Sequence, residues 1–330
     1  MQLSVLSLNC ENMADVVPRD PGAAVAEKYR RRSELLGALV TSVDADLIGM
    51  VEAAPDAART QRWVDEFAGG RYEVFQGERR GILGLALAVR RGLGIQATVR
   101  PKEECIRLYP LGEFDADNDG IREVYSWANR VPHEVIVSGG GLSAPVTFVV
   151  IHAKSKGVFI PGDLYAYEQQ ARAARMKLRA QAATVRSRLD QLLATEGNAR
   201  VVVLGDMNDS AEFDIYAAKL GGAFLERVLG SVWEPHLIFS NAHADLDHDL
   251  RWTIDFKDRV VNPLTEARYG MPTDMRSWID HILVSPALRP SIVPGTAAIH
   301  HSQPVPAGWT AVPHGSRGSD HHPPSVTLDL

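Results

Sequence analysis

The chain has 330 residues, of which 45% are hydrophobic, and a formal net charge of -6 at pH 7. An acidic chain lacks the broad basic surface of a tight nucleic-acid binder, although it leaves room for a local basic patch. Cys10 and Cys105 are too few for a disulfide framework, and no apolar run is long enough to span a bilayer. Length and composition suit one large domain, predicted over residues 1–330.

The N-terminal half alternates predicted strands and helices. Leu3–Leu8 has the alternation of a strand, and Tyr29–Val43 repeats leucine and valine at helical spacing. Asp46–Glu52 is an apolar run that ends in a carboxylate, typical of a buried strand. The other elements predicted here are a short helix at Trp63–Phe67 and strands at Tyr72–Phe75 and Leu83–Arg90.

The C-terminal half contains a long amphipathic helix between apolar strands. The helix is predicted over Tyr165–Leu193, and Asp209–Leu229 is expected to combine helix and loop. The predicted strands are Glu134–Val137, Val146–Ile151, Val201–Leu204, Trp278–Val284 and Ser325–Leu330.

Two acidic segments raise the question of a metal outside these strands. Asp115–Gly120 resembles the first half of an EF-hand loop, but Ser126 stands where that loop needs a bidentate glutamate. A solvated acidic loop is therefore the favoured interpretation. His243–Asp249 is rich in histidine and aspartate, and we expect a mobile surface loop there rather than a metal trap.

The order of elements indicates the fold class. Hairpins and meanders occur together with crossovers, so a purely parallel doubly wound sheet fits poorly. We expect an α/β (α+β) protein, a four-layer α/β/β/α sandwich in which two packed mixed sheets are flanked by helices. No linker stands out between these elements.

Polar residues follow the apolar strands at the points where those strands end. Asp206 and Asn208 come directly after Val201–Gly205, and alternation places both side chains on one side of the chain. A carboxylate at the end of a buried strand needs a cation or a proton to pair with it. The other polar strand ends are Asn9, Glu52, His152, Asp280, Asp320 and His321.

This set of side chains favours one type of metal chemistry. Oxygen ligands dominate and no thiolate cluster is present, which suits Mg²⁺, Mn²⁺ or Ca²⁺ better than a structural zinc ion. Carboxylate, amide and imidazole groups without a serine or cysteine nucleophile indicate attack by an activated water. Each residue taken alone is more often a turn former or a surface residue, so the hypothesis depends on their convergence.

The chain resembles the endonuclease/exonuclease/phosphatase superfamily, which includes DNase I-like and exonuclease III-like enzymes. Six segments match its motifs in the family's order: Ser7–Asn9, Asp46–Glu52, Ile151-His152, Gly205–Asn208, Ile279–Leu283 and Ser319–His321. His152–Gly157 is similar to the H-F-K-S-K-G segment of a bacterial nuclease branch, and Arg130–Pro132 is similar to the R-x-P segment of DNase I-like nucleases.

The resemblance implies hydrolysis of a phosphoester with a divalent metal. Glu52 would bind Mg²⁺ or Mn²⁺, with Ca²⁺ as an alternative, and Asn9 and Asp320 would lie near the ion. Arg130, Lys154 and Lys156, with Asn9, would bind the substrate, because cationic side chains donate charge-assisted hydrogen bonds to flanking phosphates.

The resemblance also implies the catalytic residues. Asp206 would position or deprotonate the attacking water with the help of Asn208. His321 would donate to the phosphoryl oxygens, and Asp280 would orient it and favour its protonated form. His152 would be a second donor to the phosphate.

One departure from the family concerns His152. DNase I-like enzymes place an acidic residue on an earlier strand, where it orients the equivalent histidine. The corresponding segment here, Ile82–Leu85, has no carboxylate. We therefore expect His152 to be oriented differently or to serve only in phosphate binding.

The substrate is the part of the function on which the sequence is least specific. A nuclease acting on DNA or RNA is the first hypothesis, because of Arg130 and the lysine-rich loop after His152. A phosphomonoesterase or a lipid or small-molecule phosphodiesterase is the second, and a catalytically impaired binding module is the third. No protein partner is implied. The localisation is open between secreted or periplasmic and cytoplasmic, because the bacterial branch points outward while the N-terminus looks like a strand rather than a signal peptide.

Overall fold

The structure is a computed structural model. It describes residues 1–77, 81, 83–127, 130–158, 163–211, 215–220, 222–255 and 276–330. Among these residues, no helix combines the length and the apolar character needed to cross a bilayer.

Short apolar segments form the strands, most of which belong to two large sheets. The strands are β1 (Gln2–Asn9), β2 (Leu47–Ala53), β3 (Tyr72–Phe75), β4 (Gly84–Arg90), β5 (Ile95–Val99), β6 (Glu113–Phe114), β7 (Glu123–Val124), β8 (His133–Gly139), β9 (Val146–His152), β10 (Val201–Asp206), β11 (Ser240–Asn241), β12 (Ile254–Asp255), β13 (Arg276–Ser277), β14 (Asp280–Val284), β15 (Ala298–Ile299) and β16 (Pro324–Asp329).

Helices connect these strands and cover the outer faces of the sheets. The α-helices are α1 (Met13–Val16), α2 (Glu27–Val43), α3 (Ala57–Phe67), α4 (Lys102–Leu108), α5 (Leu164–Glu196), α6 (Ile215–Lys219) and α7 (Phe224–Leu229). Short 3-10 helices lie at Pro235–Leu237, His248–Leu250 and Pro286–Ser291. The N-cap of the longest helix, α5, is Asp163, whose side chain accepts the Ala166 N–H.

Both sheets are mixed. The first has the order β15-β16-β1-β2-β4-β3, and the second has the order β11-β14-β10-β9-β8-β5. Each contains one parallel pair at its centre, β1 with β2 and β9 with β10, between antiparallel neighbours. The small pairs β6-β7 and β12-β13 stand outside these two sheets.

Three hydrophobic clusters separate four layers. The central cluster lies between the sheets, with Val5 and Leu87 of the first sheet and Phe148 of the second. Helices α2 and α3 pack on the outside of the first sheet through a second cluster, and α5 and α7 pack on the outside of the second sheet through a third. The predicted α/β/β/α sandwich is confirmed. Because both faces of each sheet are covered, the central strands read as nearly continuous apolar runs.

The structure differs from the sequence prediction in two places that concern the site. The strand predicted from Trp278 begins at Asp280, because the N–H groups of Ile279 and Asp280 donate to the Thr253 hydroxyl instead of a neighbouring strand. The surface loop predicted at His243–Asp249 is wrong for His243, which is fully buried and donates to the Ser325 carbonyl, whereas Asp249 is exposed. Of the segment Asp209–Leu229, residues 212–214 and 221 lie outside the described residues.

Candidate active site

Strand register brings the polar strand ends to one edge of the sandwich. Asp206 at the end of β10 lies opposite His152 in the parallel strand β9 and opposite Asp280 in the antiparallel strand β14. In the first sheet, Asn9 at the end of β1 lies opposite Val51, the residue before Glu52. A contact of 3.5 Å between Asn9 Nδ2 and Asp206 Oδ2 joins the two sheets at this edge.

Asp206 is buried and held by neighbouring amides. The Asn208 N–H donates to Oδ1 at 2.8 Å, and the Asn208 side-chain amide donates to Oδ2 at 3.0 Å. Gly205 precedes it with a φ of 131°, and a Cβ there would lie 2.0 Å from the Ile151 carbonyl oxygen. Only glycine fits this position, so the G-D pair is a packing requirement as well as a motif.

Burial, followed by the neighbouring charge of Asp280, raises the pKa of Asp206 to about 8. The charge of His321 and the Asn208 N–H act in the opposite direction. A bound cation would lower this pKa and favour the ionised carboxylate that a water-activating base needs.

His321 and Asp280 form a buried ion pair beside Asp206. His321 Nδ1 lies 2.7 Å from Asp280 Oδ2, and both side chains are buried. Burial lowers the pKa of His321, but the charge and hydrogen bond of Asp280, together with Asp206 and Asp320, outweigh it and raise the pKa to about 10. The imidazole is therefore protonated at neutral pH and presents Nε2–H as a donor.

Glu52 reaches the site through an irregularity in its strand. The pairing of β2 with β4 shifts register between Val51 and Ala53, and Glu52 has a φ of 55°. A bulge of this kind re-aims a side chain at a sheet edge, and the left-handed conformation costs free energy in a residue other than glycine. Glu52 Oε2 accepts the Asn12 N–H at 2.8 Å, and Oε1 lies 3.7 Å from His152 Nε2.

Sequence reasoning missed Glu11, which contacts a predicted metal ligand. Its Oε2 accepts the Asp320 N–H at 3.1 Å, and the side chain of Arg32 pairs with the same oxygen at 3.8 Å. Burial raises the pKa of Glu11, and the nearby charges of Asp320 and Glu52 act in the same direction while Arg32 opposes them. No motif marks Glu11, although it lies two residues after Asn9 and its N–H donates to the Asn9 Oδ1.

His152 is buried between the guanidinium of Arg130 and the carboxylate of Asp206. Its Nδ1 has no hydrogen-bond partner among the residues that the structure describes, while Nε2 lies 3.3 Å from Arg130 Nη1 and 3.7 Å from Asp206 Oδ2. Burial, and then the charges of Arg130 and His321, hold the pKa of His152 well below its usual value. Of the segment predicted to lack an acidic partner, Ile82 lies outside the described residues.

The predicted substrate-binding cations are placed differently from one another. Arg130 is next to His152 and also donates to the Ala153 carbonyl at 3.3 Å. Lys154 is half-buried beside them, and its ammonium donates to the Ser155 carbonyl at 2.7 Å. Lys156 instead pairs with the buried carboxylate of Asp209, so its charge is already neutralised. Arg130 and Lys154 therefore lie beside His152, whereas the ammonium of Lys156 is held in an ion pair with Asp209.

The donor set at this edge fits a hard divalent cation. Oxygen atoms of Asp206 and Asp280 and a ring nitrogen of His321 lie within 4.8 Å of one another, and Asp280 Oδ1 is buried without a hydrogen-bond partner among the described residues. Because His321 is protonated, it serves as a donor rather than a ligand. A cation at this edge would relieve the excess of negative charge that also raises the pKa of Asp206. The assignment of Glu52 and Asp320 as its ligands stays a prediction.

A second acidic group lies away from this edge. Oxygen atoms of Asp115, Asp117 and Asp119 lie within 4.8 Å of one another. Asp115 accepts the N–H groups of Asp119 and Gly120, and Asp117 pairs with Arg172. These contacts order the loop through the chain's own donors, while Asn118, Asp119 and Gly120 remain exposed to solvent.

Solved structures with a similar fold were found. Truncated TDP2 from Caenorhabditis elegans superposes with a TM-score of 0.58 at 16% identity, covering 100% of this chain and 98% of that chain. TDP2 from D. rerio, in a complex with a single-strand DNA product, gives 0.55 at 15% identity and covers 100% and 99%. The mannosyl-6-phosphatase Bt3783 from Bacteroides thetaiotaomicron gives 0.52 at 16% identity and covers 99% and 100%.

At these identities the likeness shows the fold alone. A comparison with curated protein sequences found no significant match. The family model for the Endonuclease/Exonuclease/phosphatase family matches residues 6–321, a range that begins in β1 and ends at His321. The chain therefore belongs to the Endonuclease/Exonuclease/phosphatase family.

Proposed function

We propose that the protein is a metal-dependent phosphodiesterase that hydrolyses nucleic acid by attack of an activated water. The observation that carries the proposal is the position of Asn9 between Asp206, the proposed base, and the protonated imidazole of His321. Its Nδ2 lies 3.5 Å from Asp206 Oδ2 and 3.3 Å from His321 Nε2. Its Oδ1 accepts the Glu11 N–H, which fixes the amide so that Nδ2 faces the site.

Two donors thus converge where a phosphoryl oxygen would bind. The Asn9 amide and the His321 Nε2–H both donate, so neither satisfies the other. One Asn9 N–H faces Asp206 at 3.5 Å, and the second Asn9 N–H and the His321 Nε2–H need an external acceptor. A phosphoryl oxygen is an acceptor of this kind, and its developing negative charge would strengthen both hydrogen bonds in the transition state. The ion pair with Asp280 keeps His321 protonated for this role.

Asp206 is the group best placed to act on the attacking water. Asn208 donates one hydrogen bond to each carboxylate oxygen of Asp206, and these two bonds limit the rotation of the carboxylate. The ionised carboxylate would accept the water's proton as the water attacks phosphorus. Bound Mg²⁺ or Mn²⁺, held by Glu52 and Asp320 near Asn9, would supply a Lewis acid for the phosphate oxygens and the departing oxyanion.

The fold alone leaves the ester class open, because a mannosyl-6-phosphatase and a protein bound to a DNA product share it. Two cations beside His152, Arg130 and Lys154, support a substrate with flanking phosphates. A phosphomonoesterase is the second candidate and needs only the donors and carboxylates at the centre of the site.

A plasmid-nicking assay tests the proposal. Supercoiled plasmid is incubated with Mg²⁺, Mn²⁺ or EDTA, using wild type, Asp206→Asn and Asp329→Asn. Asp329→Asn removes the same charge at the opposite end of β1 and β16, where Asp329 is largely exposed. We expect metal-dependent nicking by wild type and Asp329→Asn alone. Hydrolysis of a generic phosphomonoester without nicking would favour the second candidate, and inactivity on both substrates would favour a binding module.

A further inference from the structure

A cation that the motifs do not mark lies next to Arg130 and Lys154. The Lys154 N–H donates to Gln181 Oε1 at 2.9 Å, which attaches the loop after β9 to α5. Lys177 precedes Gln181 by four residues in the same helix, so both side chains lie on one face, a single turn apart. This face of α5 therefore extends the basic side of the site beyond Arg130.

The three cations have no carboxylate partner among the residues that the structure describes. Lys177 makes no ion pair within that part of the chain, and the charged groups of Lys154 and Arg130 contact carbonyl oxygens and His152. Neighbouring basic residues are neutralised, since Lys156 pairs with Asp209 and Arg172 pairs with Asp117.

Like charges act on the two lysines of this group. Burial lowers the pKa of Lys154, and the charges of Arg130, Lys177 and Arg175 lower it further. Burial and Arg130 do the same for the pKa of Lys177. The carboxylates of Glu52 and Asp206 oppose this effect at Arg130, whereas only burial and like charges act on the pKa values of Lys154 and Lys177. An anionic ligand beside Lys154 and Lys177 would relieve this repulsion.

We infer that Lys177 on α5 joins Arg130 and Lys154 in holding a phosphate adjacent to the scissile one in a nucleic-acid strand. The inference rests on the proposed function and adds a substrate-binding residue that the motifs do not mark. A phosphomonoester has one phosphate, which would bind at the centre of the site and leave these cations without a ligand. A polynucleotide offers a phosphate on each side of the scissile bond, and its flexible backbone can reach a lysine on α5.

Steady-state kinetics on two substrates tests the subsite. An oligothymidylate offers many phosphates, and bis(p-nitrophenyl) phosphate offers one. We expect Lys177→Ala to raise KM for the oligonucleotide roughly tenfold, because the substrate loses a charge-assisted contact. The factor by which KM rises should be at least about fivefold larger for the oligonucleotide than for the small diester. Lys177→Arg should retain most of the affinity. The control Arg289→Ala removes an exposed cation that follows β14 at the opposite end of the sheet, and it should match wild type.

Binding measured without turnover separates this inference from the proposed reaction. Anisotropy of a labelled oligothymidylate is followed with Asp206→Asn and with Asp206→Asn/Lys177→Ala as salt is varied. The subsite predicts roughly tenfold weaker binding for the double variant and a log–log salt slope smaller by about 0.7. Equal affinity and slope for the two proteins would overturn the subsite even if wild type cleaves DNA. Weaker binding by the double variant, with no cleavage by wild type, would retain the subsite and reject the nuclease function.

Discussion

His321 Nδ1 lies 2.7 Å from Asp280 Oδ2, and this buried pair sets the charge of the imidazole that faces the site. Burial alone would favour neutral His321, whereas Asp280 raises its pKa to about 10. A group with a raised pKa is protonated below that value and loses its proton as the pH rises through it. Activity that needs the imidazolium should therefore persist at neutral pH and fall at alkaline pH.

Asp280→Asn should move the alkaline limit of activity to lower pH. The amide keeps an acceptor for Nδ1–H but removes the negative charge that stabilises the imidazolium, so the pKa of His321 falls. We expect kcat near pH 8 to decrease by roughly a hundredfold, the lower end of typical acid–base contributions. The measurement is kcat between pH 6 and 10 at saturating metal, with Asp329→Asn as the charge-matched control. An unchanged alkaline limb would mean that His321 does not carry the proton.

Asp206→Asn should abolish most turnover without unfolding the protein. The amide oxygen can accept from the Asn9 and Asn208 side chains and loses only the bond from the Asn208 N–H, but the amide cannot accept the proton of water. We expect a loss of roughly three or more powers of ten in kcat, which corresponds to several kcal/mol of transition-state stabilisation. Loss of a buried carboxyl with a raised pKa costs little stability, so the melting temperature should be near that of wild type. Retention of most of the activity would contradict the assignment of Asp206.

The sequence predicted the sandwich because strand and helix periods are local properties. Val201–Asp206 reads as a doubly buried strand from its residues alone, and the end of that strand is where Asp206 lies. The grouping of Asn9, Glu52 and His321 in one site is implied by the family resemblance, because strand periods alone do not fix the register between distant strands.

Features that depend on tertiary contacts could not be predicted. The direction of the Glu52 side chain is set by a β-bulge and a left-handed backbone conformation, and residue propensities for helix or strand predict neither feature. Glu11 and Lys177 acquire their roles from the loop of Asp320 and the loop of Lys154, which approach from distant parts of the chain. His243 lies in an acidic, polar segment, yet its hydrogen bond to Ser325 holds it in the interior.

A buried ion-pair network away from the site should govern stability rather than catalysis. Glu134 is fully buried in β8, where it accepts hydrogen bonds from Arg188 at 2.8 Å, Arg100 at 2.6 Å and Tyr109 at 2.7 Å. Burial raises its pKa, but the hydrogen bonds from Arg188 and Tyr109 and the charges of both arginines outweigh burial and hold the pKa below its usual value.

Arg188→Met should destabilise the protein by about 2 kcal/mol, because a buried carboxylate loses a charged donor while Arg100 remains. Urea unfolding at pH 7 measures the change. Arg30→Met is the matched control, since Arg30 forms a partly exposed pair with Glu66 and should cost less than about 1 kcal/mol. Equal effects of the two substitutions would show that the Glu134 network does not stabilise the fold. In either case, kcat should stay near the wild-type value.

His243 should make stability depend on pH in a defined window. Burial, with smaller contributions from the charges of His281 and His300, lowers its pKa from the usual 6.5 to about 4 and outweighs the carbonyl of Ser325. The unfolded chain therefore binds a proton at higher pH than the folded protein does. The stability contributed by neutral His243 is fully present above pH 6.5 and is lost as the pH falls toward 4.

His243→Gln removes this titration while keeping a side-chain donor for the Ser325 carbonyl. Urea unfolding of wild type and variant at pH 7, 6, 5 and 4 measures the difference in free energy of unfolding. We expect wild type to lose roughly 3 kcal/mol relative to the variant between pH 7 and 4, because each pKa unit corresponds to about 1.4 kcal/mol. The buried His281 and His300 titrate in both proteins, so their contributions cancel in the comparison. A difference that stays constant with pH would mean that folding does not shift the pKa of His243, and the acid sensitivity would then belong to other groups.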